Sequence, residues 1–316
     1  MAINYSIVIP YKNIKDLLLR CLYSMPRRED VEVIVVDDGS APENACPRGS
    51  FAKVIKTAAG KGAGAARNLG LKGARGKWVL FVDADDYFSS DVLDILDAHL
   101  HSESDIVFFN VECVNSDTLE VVHDTRSKRN FFEKKYRSEK QKERRFRYTY
   151  TEPWGKMYRR SMLNEYDIWF DEVPVCNDFM FSVKSGHYAK KIDFDSRVLY
   201  YNTIRVNSIC TSSYLKTETD VFERVKVSSD VYLFCKSNDI DYKIMPQNLF
   251  RLCSIARESF EGIYADVERY LEKKGLSKKD LVLGEIKYKL FVGYLNLRGT
   301  LKSKLLSLFR RRCRFL

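Results

Sequence analysis

Proline and glycine are scarce in this chain of 316 residues, at 7 and 15. That removes the composition of a disordered or fibrous protein and leaves a globular one. Nowhere does the sequence offer the roughly 18 uninterrupted apolar residues of a membrane span. Its opening, MAINYSIVIPYK, carries no basic leader ahead of a long apolar stretch, so neither spanning nor secretion is expected. The 8 cysteines are scattered at 21, 46, 113, 176, 210, 235, 253 and 313. None pair at the two-residue spacing of zinc knuckles or redox sites, and they read as reduced cytoplasmic thiols, mostly filling the core. The 4 histidines, at 99, 101, 123 and 187, show no metal-ligand spacing.

What is present is apolar and charged in quantity. Hydrophobic residues make up 45% and charged residues 30%, enough for one large α/β domain with a helical appendage but too little chain for three ordinary domains. The net charge of +10 is uneven: residues 126–147 carry 11 basic and 3 acidic residues, and residues 286–316 carry 9 basic and none acidic. The rest of the chain therefore sums to −7, and basicity needs local explanations.

Tyr5 to Pro10 (YSIVIP) is a short β-branched run of the kind a buried parallel strand shows, and Leu17, Leu18, Cys21, Leu22 and Met25 follow at helical spacing. Further strands are expected at Val31–Val36, Phe51–Lys56, Trp78–Val82 and Asp105–Asn110, with helices over 63–73 and 92–100. This alternation predicts a mostly parallel, Rossmann-like sheet whose ligands bind beyond the carboxyl ends of the strands. The basic stretch 126–147 reads as a mobile loop or exposed helix, and Val198–Tyr201 as a late strand. From Glu218 onward amphipathic helices take over. The expected division is a catalytic domain over 1–215 and a helical extension with a basic amphipathic tail over 216–316.

Several side chains at strand ends could carry chemistry. Asp37 and Asp38 (VIVVDDGS) can bind a base or ribose, or simply form a turn. Asp83, Asp85 and Asp86 (FVDADDYF) repel one another unless a cation or dipoles compensate. Mg²⁺ or Mn²⁺ bridging to a diphosphate would do so, while a helix N-terminus decorated with acids is the plainer alternative. The loop AAGKGAGAARNLG, with Lys61 and Arg67, suits a phosphate at a helix N-terminus or a flexible loop, and it is neither a P-loop nor a dinucleotide fingerprint. Asp178 borders the apolar residues Phe179, Phe181 and Val183, where desolvation would raise its pKa toward general-base use. A helix cap is its other reading.

The ordered series SIVIPYKN, VIVVDDGS, GAGAARNLG, FVDADDYF, EPWGKMYRRSML, FDEVPVCNDFMF and LYYNTIRVNSI resembles the bacterial family 2 glycosyltransferases with the GT-A fold, over about residues 5–210. The resemblance implies an inverting, metal-dependent hexosyl or N-acetylhexosaminyl transferase. Such an enzyme takes a sugar from a nucleotide-diphosphate donor, a UDP-sugar being expected, to a glycan or lipid-linked glycan hydroxyl in polysaccharide biosynthesis. It places Pro10, Asp37, Asp38, Arg67, Asp83 and Trp154 around the nucleotide sugar, Asp83 and Asp85 on Mn²⁺ or Mg²⁺, and Asp178 as general base, with Lys156 near sugar or acceptor. Two departures stand out: Pro10, Tyr11, Lys12 and Asn13 where the family opening reads Pro-Val-Tyr-Asn, and Asn177 where it has Glu before the catalytic Asp.

Two rivals are a sugar-nucleotide nucleotidyltransferase and a non-catalytic basic protein that binds nucleic acid or an anionic surface. The first would want Gly and Lys soon after strand one, where this chain reads YKNIKDLLLRC. The second is disfavoured by three intact acids, and no nucleic-acid partner is expected. The tail LKSKLLSLFRRRCRFL interleaves Leu and Phe with Arg, suiting an anionic membrane surface, or else a solvated helix end or a partner contact. The expected location is therefore cytoplasmic, with a peripheral place at the cytoplasmic face of the inner membrane.

Overall fold

The computed structural model describes residues 2–46, 51–57, 60–123, 127–205, 217–242, 245 and 248–290. Two compact units divide it, Met1–Tyr214 and Leu215–Leu316. In the first unit, β1 (Tyr5–Tyr11), β2 (Val31–Asp37), β3 (Lys53–Lys56) and β4 (Trp78–Phe81) are all parallel, in the order β3-β2-β1-β4. Strands β1 and β4 are buried along nearly their whole length. A strand covered on both faces needs a continuous apolar run, and YSIVIP and WVLF supply it.

Because β2 and β3 lie on one side of β1 and β4 on the other, the strand order reverses between β1 and β4, where open α/β sheets form their crevice. The last β1–β4 register pair is Val8↔Phe81, whereas β1 stays paired with β2 through Tyr11↔Asp37. Pro10 thus lies where the sheet has begun to part. Helices α1 (Lys15–Tyr23) and α2 (Gly62–Gly73) follow β1 and β3, and α3 (Val92–Asp97) comes after the two-residue β5 (Tyr87–Phe88). Small residues let α2 approach closely: a Cβ added at Gly70 would meet Val8 Cγ1 at 2.3 Å, and one at Gly64 would meet the Asp171 carbonyl oxygen at 2.1 Å.

Beyond β4 the simple alternation ends. β6 (Ile106–Asn115) and β8 (Ile192–Ile204) pair in parallel, but β7 (Lys156–Arg159) lies antiparallel between β4 and β6, giving the order β3-β2-β1-β4-β7-β6-β8-β5. The sheet is mixed as a result. Helix α6 (Arg160–Glu165) continues from β7, and α7 (Phe179–Tyr188) carries Asp178 at its N-cap. Phe81, Phe170, Phe181 and Tyr158 pack ring on ring beneath it, Phe170 stacking on Phe181 at 3.8 Å between centroids.

The basic stretch folds into α4 (Arg129–Glu133) and α5 (Glu139–Thr149), not a loose loop. Its charge conceals Phe131, 8% exposed, and Phe146, fully buried, which pack on Phe108 and Tyr150. Burying one phenylalanine contributes about 2–3 kcal/mol, which offsets the repulsion of the exposed cations.

The second unit contains helices Glu218–Ser237, Leu249–Ser259 and Glu261–Lys273. The first two are capped by Thr217 and Asn248, whose side chains accept from Asp220 N and Phe250 N. Among the described residues no helix is long and apolar enough to cross a membrane. The basic tail over 301–316 lies outside the described residues. Cys21, Cys113, Cys235 and Cys253 are buried.

Candidate functional site

The loops at the carboxyl ends of β2, β3 and β4 meet α2 and α7 at one rim. Asp38, just past β2, is 4% exposed and fully engaged: Oδ1 accepts from Thr57 Oγ1 at 2.6 Å and Lys61 N at 3.0 Å, and Oδ2 accepts from Gly62 N at 2.9 Å. Lys12 approaches to 3.7 Å. Burial alone would raise its pKa, but these donors prevail and hold it below the usual carboxylate range. Asp37 is equally buried and closes the turn by accepting from Ser40 N at 2.8 Å. Both carboxylates therefore shape the Gly-rich loop and the turn after β2.

Arg67, on the buried face of α2, is the junction. One terminal nitrogen donates to Asp83 Oδ1 at 2.6 Å and the other to Asn177 Oδ1 at 2.8 Å, with the guanidinium 5.4 Å from the centre of the Phe170 ring. Burial opposes its charge, yet Asp83 and Asp178 keep it firmly protonated. The loop after β4 and the start of α7, some 94 residues apart, are thus tied through one side chain. Asn177 stands where the family pattern has Glu. Its neutral oxygen satisfies Arg67 without adding a charge beside Asp178.

The three acids after β4 have three environments. Asp83 pairs with Arg67, and its backbone N–H donates to Tyr200 Oη at 3.1 Å. Asp85 pairs with Arg205 at 2.8 Å, while its carbonyl accepts from Arg20 and Thr203. Burial, and then the charge of Asp83, raise the Asp85 pKa against the pull of Arg205. Asp86 is wholly buried and accepts from Tyr200 Oη at 2.5 Å, Asn202 Nδ2 at 2.9 Å and Thr203 N at 2.7 Å, anchoring the loop to β8. No group of three His, Cys, Asp or Glu able to hold a metal occurs among the described residues. The donor chemistry still suits a hard divalent ion bound by one or two carboxylates, with its other oxygens coming from a diphosphate and water.

Asp178 differs from all of these. It caps α7 in position only, since its side chain makes no capping hydrogen bond. Burial dominates and lifts its pKa to about 6; Arg67 opposes the rise, and Glu152 and Asp83 add to it. Beside it lies a buried group of charges. Lys128, 3% exposed, pairs with Glu152 at 2.7 Å. Lys156, 2% exposed, donates to the Tyr150 carbonyl at 2.5 Å, and burial first, with Lys128 adding, lowers its pKa to about 7. Gly155 makes room at φ +66°, where an added Cβ would meet Tyr150 Oη at 2.1 Å.

Arg67 thus brings Asp83 together with Asn177 and, beside it, Asp178. Asp37 and Asp38 sit on the neighbouring loops, and Pro10 at the mouth of the crevice. Trp154 is 4% exposed and stacks flat on Tyr200, 5.4 Å between centroids, so its ring braces the wall instead of offering an open face. Lys128, Glu152, Tyr200 and Arg205 escape sequence reading, because each acquires its role from a partner 24 to 120 residues distant.

The family model described as glycosyl transferase family 2 matches residues 6–167. The chain is 29% identical over 222 residues to a glycosyltransferase, EpsJ, of Bacillus subtilis, covering 66% of this chain and 63% of that one. It is 26% identical over 240 residues to the poly(ribitol-phosphate) beta-N-acetylglucosaminyltransferase TarS of Staphylococcus aureus, covering 71% and 39%. The chain spans less than two thirds of the length of these curated relatives. The crystal structure of S. aureus TarS residues 1–349 with UDP-GlcNAc superposes with a TM-score of 0.62 at 23% identity, covering 84% of this chain and 80% of that one.

Proposed function

The chain belongs to glycosyl transferase family 2 and has the GT-A fold, and on that premise we propose that it is an inverting transferase acting on a nucleotide-diphosphate sugar and an acceptor hydroxyl. The observation that carries this reading is Asp178: a carboxylate uncapped at a helix start, lifted to about 6, beside the arginine that grips Asp83. A base needs a free lone pair and a pKa near working pH. Asp38 and Asp86 are each held by three donors that tie them to their own loops, and Asp86 is wholly buried.

In this mechanism Asp178 takes the proton of the acceptor hydroxyl as its oxygen attacks the anomeric carbon, and the nucleoside diphosphate leaves from the opposite face with inversion. Arg67 fixes the Asp83 loop against α7, and the turns shaped by Asp37 and Asp38 receive the base and ribose near Pro10. Asp85, with Asp83, would hold Mn²⁺ or Mg²⁺, whose chemistry is to neutralise the leaving diphosphate. A UDP-sugar is the expected donor, since a relative of the same fold is solved with UDP-GlcNAc. A cell-surface glycan is the expected acceptor, made at the cytoplasmic side of the membrane. Incubating the full chain with UDP- and GDP-sugars and Mn²⁺ tests the reading: slow hydrolysis of one donor is expected, lost in Asp178→Asn and in EDTA. No turnover of any nucleotide sugar would defeat it.

A further inference from the structure

The helical pair over 127–149 is anchored at both ends. Ser127 Oγ and Lys128 N donate to the Val111 carbonyl at 3.1 and 2.8 Å, and Lys128 then closes on Glu152, just past α5. Arg147 donates to the Gly186 and Ala189 carbonyls at 2.8 and 2.6 Å, fastening α5 to the end of the helix that starts at Asp178. Between the two helices, Tyr136 Oη donates to the Phe131 carbonyl at 2.9 Å, and Ser138 caps α5 by accepting from Gln141 N. The connection between the helices is therefore a shaped structure. On it Lys134, Lys135, Arg137 and Lys140 are exposed, and none of the four has an ion-pair partner among the described residues. Partial burial first, and after it the neighbouring Arg145, push the Lys134 ammonium below its ordinary range.

Four unpaired cations within seven residues, on a connection whose flanking helices are fastened to Glu152 and to the far end of α7, call for a partner with repeated negative charge. We propose that this arm docks an acceptor polymer built of phosphodiester repeats, feeding its hydroxyls toward Asp178. The inference rests on the reading of the chain as a sugar transferase. A membrane surface fits less well, because no large hydrophobic residue of the arm is exposed to enter lipid. Single-stranded nucleic acid fits less well too, because the arm offers no exposed aromatic face for bases to stack on.

The test uses the full chain and fluorescent synthetic poly(glycerol phosphate), with affinity measured across a range of salt. One variant carries Lys134→Gln, Lys135→Gln, Arg137→Gln and Lys140→Gln. A control of equal charge change carries Lys190→Gln, Lys191→Gln, Lys278→Gln and Lys289→Gln, four exposed lysines that have carboxylate partners. The arm variant should lose about tenfold or more in affinity, and its log–log salt slope should flatten by roughly three, as expected for four lost phosphate contacts. Its hydrolysis of nucleotide sugar should be unchanged, and the control should bind within about twofold of the parent. Equal losses in the two variants would overturn the proposal. So would preferential binding of the parent to single-stranded RNA, or to vesicles of equal phosphatidylcholine and phosphatidylglycerol. Arm-dependent binding without turnover of any nucleotide sugar keeps the docking surface and sinks the transferase reading instead.

Discussion

At the parallel end of the sheet, Asp38 sits among N–H and hydroxyl donors that hold its charge in place, whereas the side chain of Asp178, at the start of α7, makes no capping hydrogen bond. Burial pushes both toward the neutral form. In Asp38 the Thr57 hydroxyl and the Gly62 and Lys61 amides overcome it; in Asp178 only Arg67 and its own backbone resist, and the pKa settles at about 6. The same residue type becomes a fixed anion in one place and a proton acceptor in the other, decided by the number of donors within reach.

The sharpest way to break this contrast is Asp178→Asn, which should cut transfer about 10²- to 10⁴-fold while a thermal shift with nucleotide sugar persists. Arg67→Met should follow, costing roughly 2–3 kcal/mol in urea unfolding, because it leaves Asn177 and the partly exposed Asp83 without their shared donor.

Linkage gives the two acids opposite signs. The folded pKa of Asp178 is raised from 3.8 to about 6, so the stability it contributes is fully present below the unfolded value and is lost as pH rises through about 6. Asp178→Asn should therefore melt higher than the parent at pH 7, by roughly 1–2 kcal/mol, with the gap closing toward pH 4. Asp38 has a depressed pKa, so its contribution is present above the unfolded value and fades in acid. Asp38→Asn should destabilise by about 1–2 kcal/mol at pH 7 and progressively less as pH falls, by thermal melts across the range. If the two variants shifted in the same direction at pH 7, the contrast would fail.

The smallest effect concerns the pH–rate profile. Transfer should fall on the acid side with a midpoint near the Asp178 pKa of about 6. Glu152→Gln removes a charge that raises this pKa, and should move that limb to lower pH by a fraction of a unit. An unmoved limb would mean that Glu152 does not act on the base.

Strands β1, β2 and β4 were legible because covered strands need largely apolar runs, and YSIVIP, VEVIVV and WVLF are such runs, broken only by Ser6 and Glu32. Strand β7 was not: four residues, KMYR, have no room for a pattern, and their place between β4 and β6 is settled by partners 48 to 81 residues away. β8 showed only its apolar part, because its first half alternates with charges. In the basic stretch the number of cations outweighed two buried phenylalanines in any local average. At the rim, the acids could be picked out by strand-end position and spacing, but their individual surroundings could not. Nothing within FVDADDYF says that Asp85 meets Arg205 or that Asp86 is swallowed by β8.

The anchoring of Asp86 has a consequence for how the molecule is made. Its three donors belong to residues 200, 202 and 203, more than 110 positions later in the chain. At about 5–20 residues per second on the ribosome, this carboxylate waits roughly ten seconds, hydrated and unpaired, for the segment that will enclose it. A nascent chain stalled before residue 200 should leave the loop after β4 open to protease, and one stalled well past residue 204 should protect it. The donor-side half is thus synthesised early and finished late, so translation that pauses in between leaves a sheet whose acidic rim is still in water.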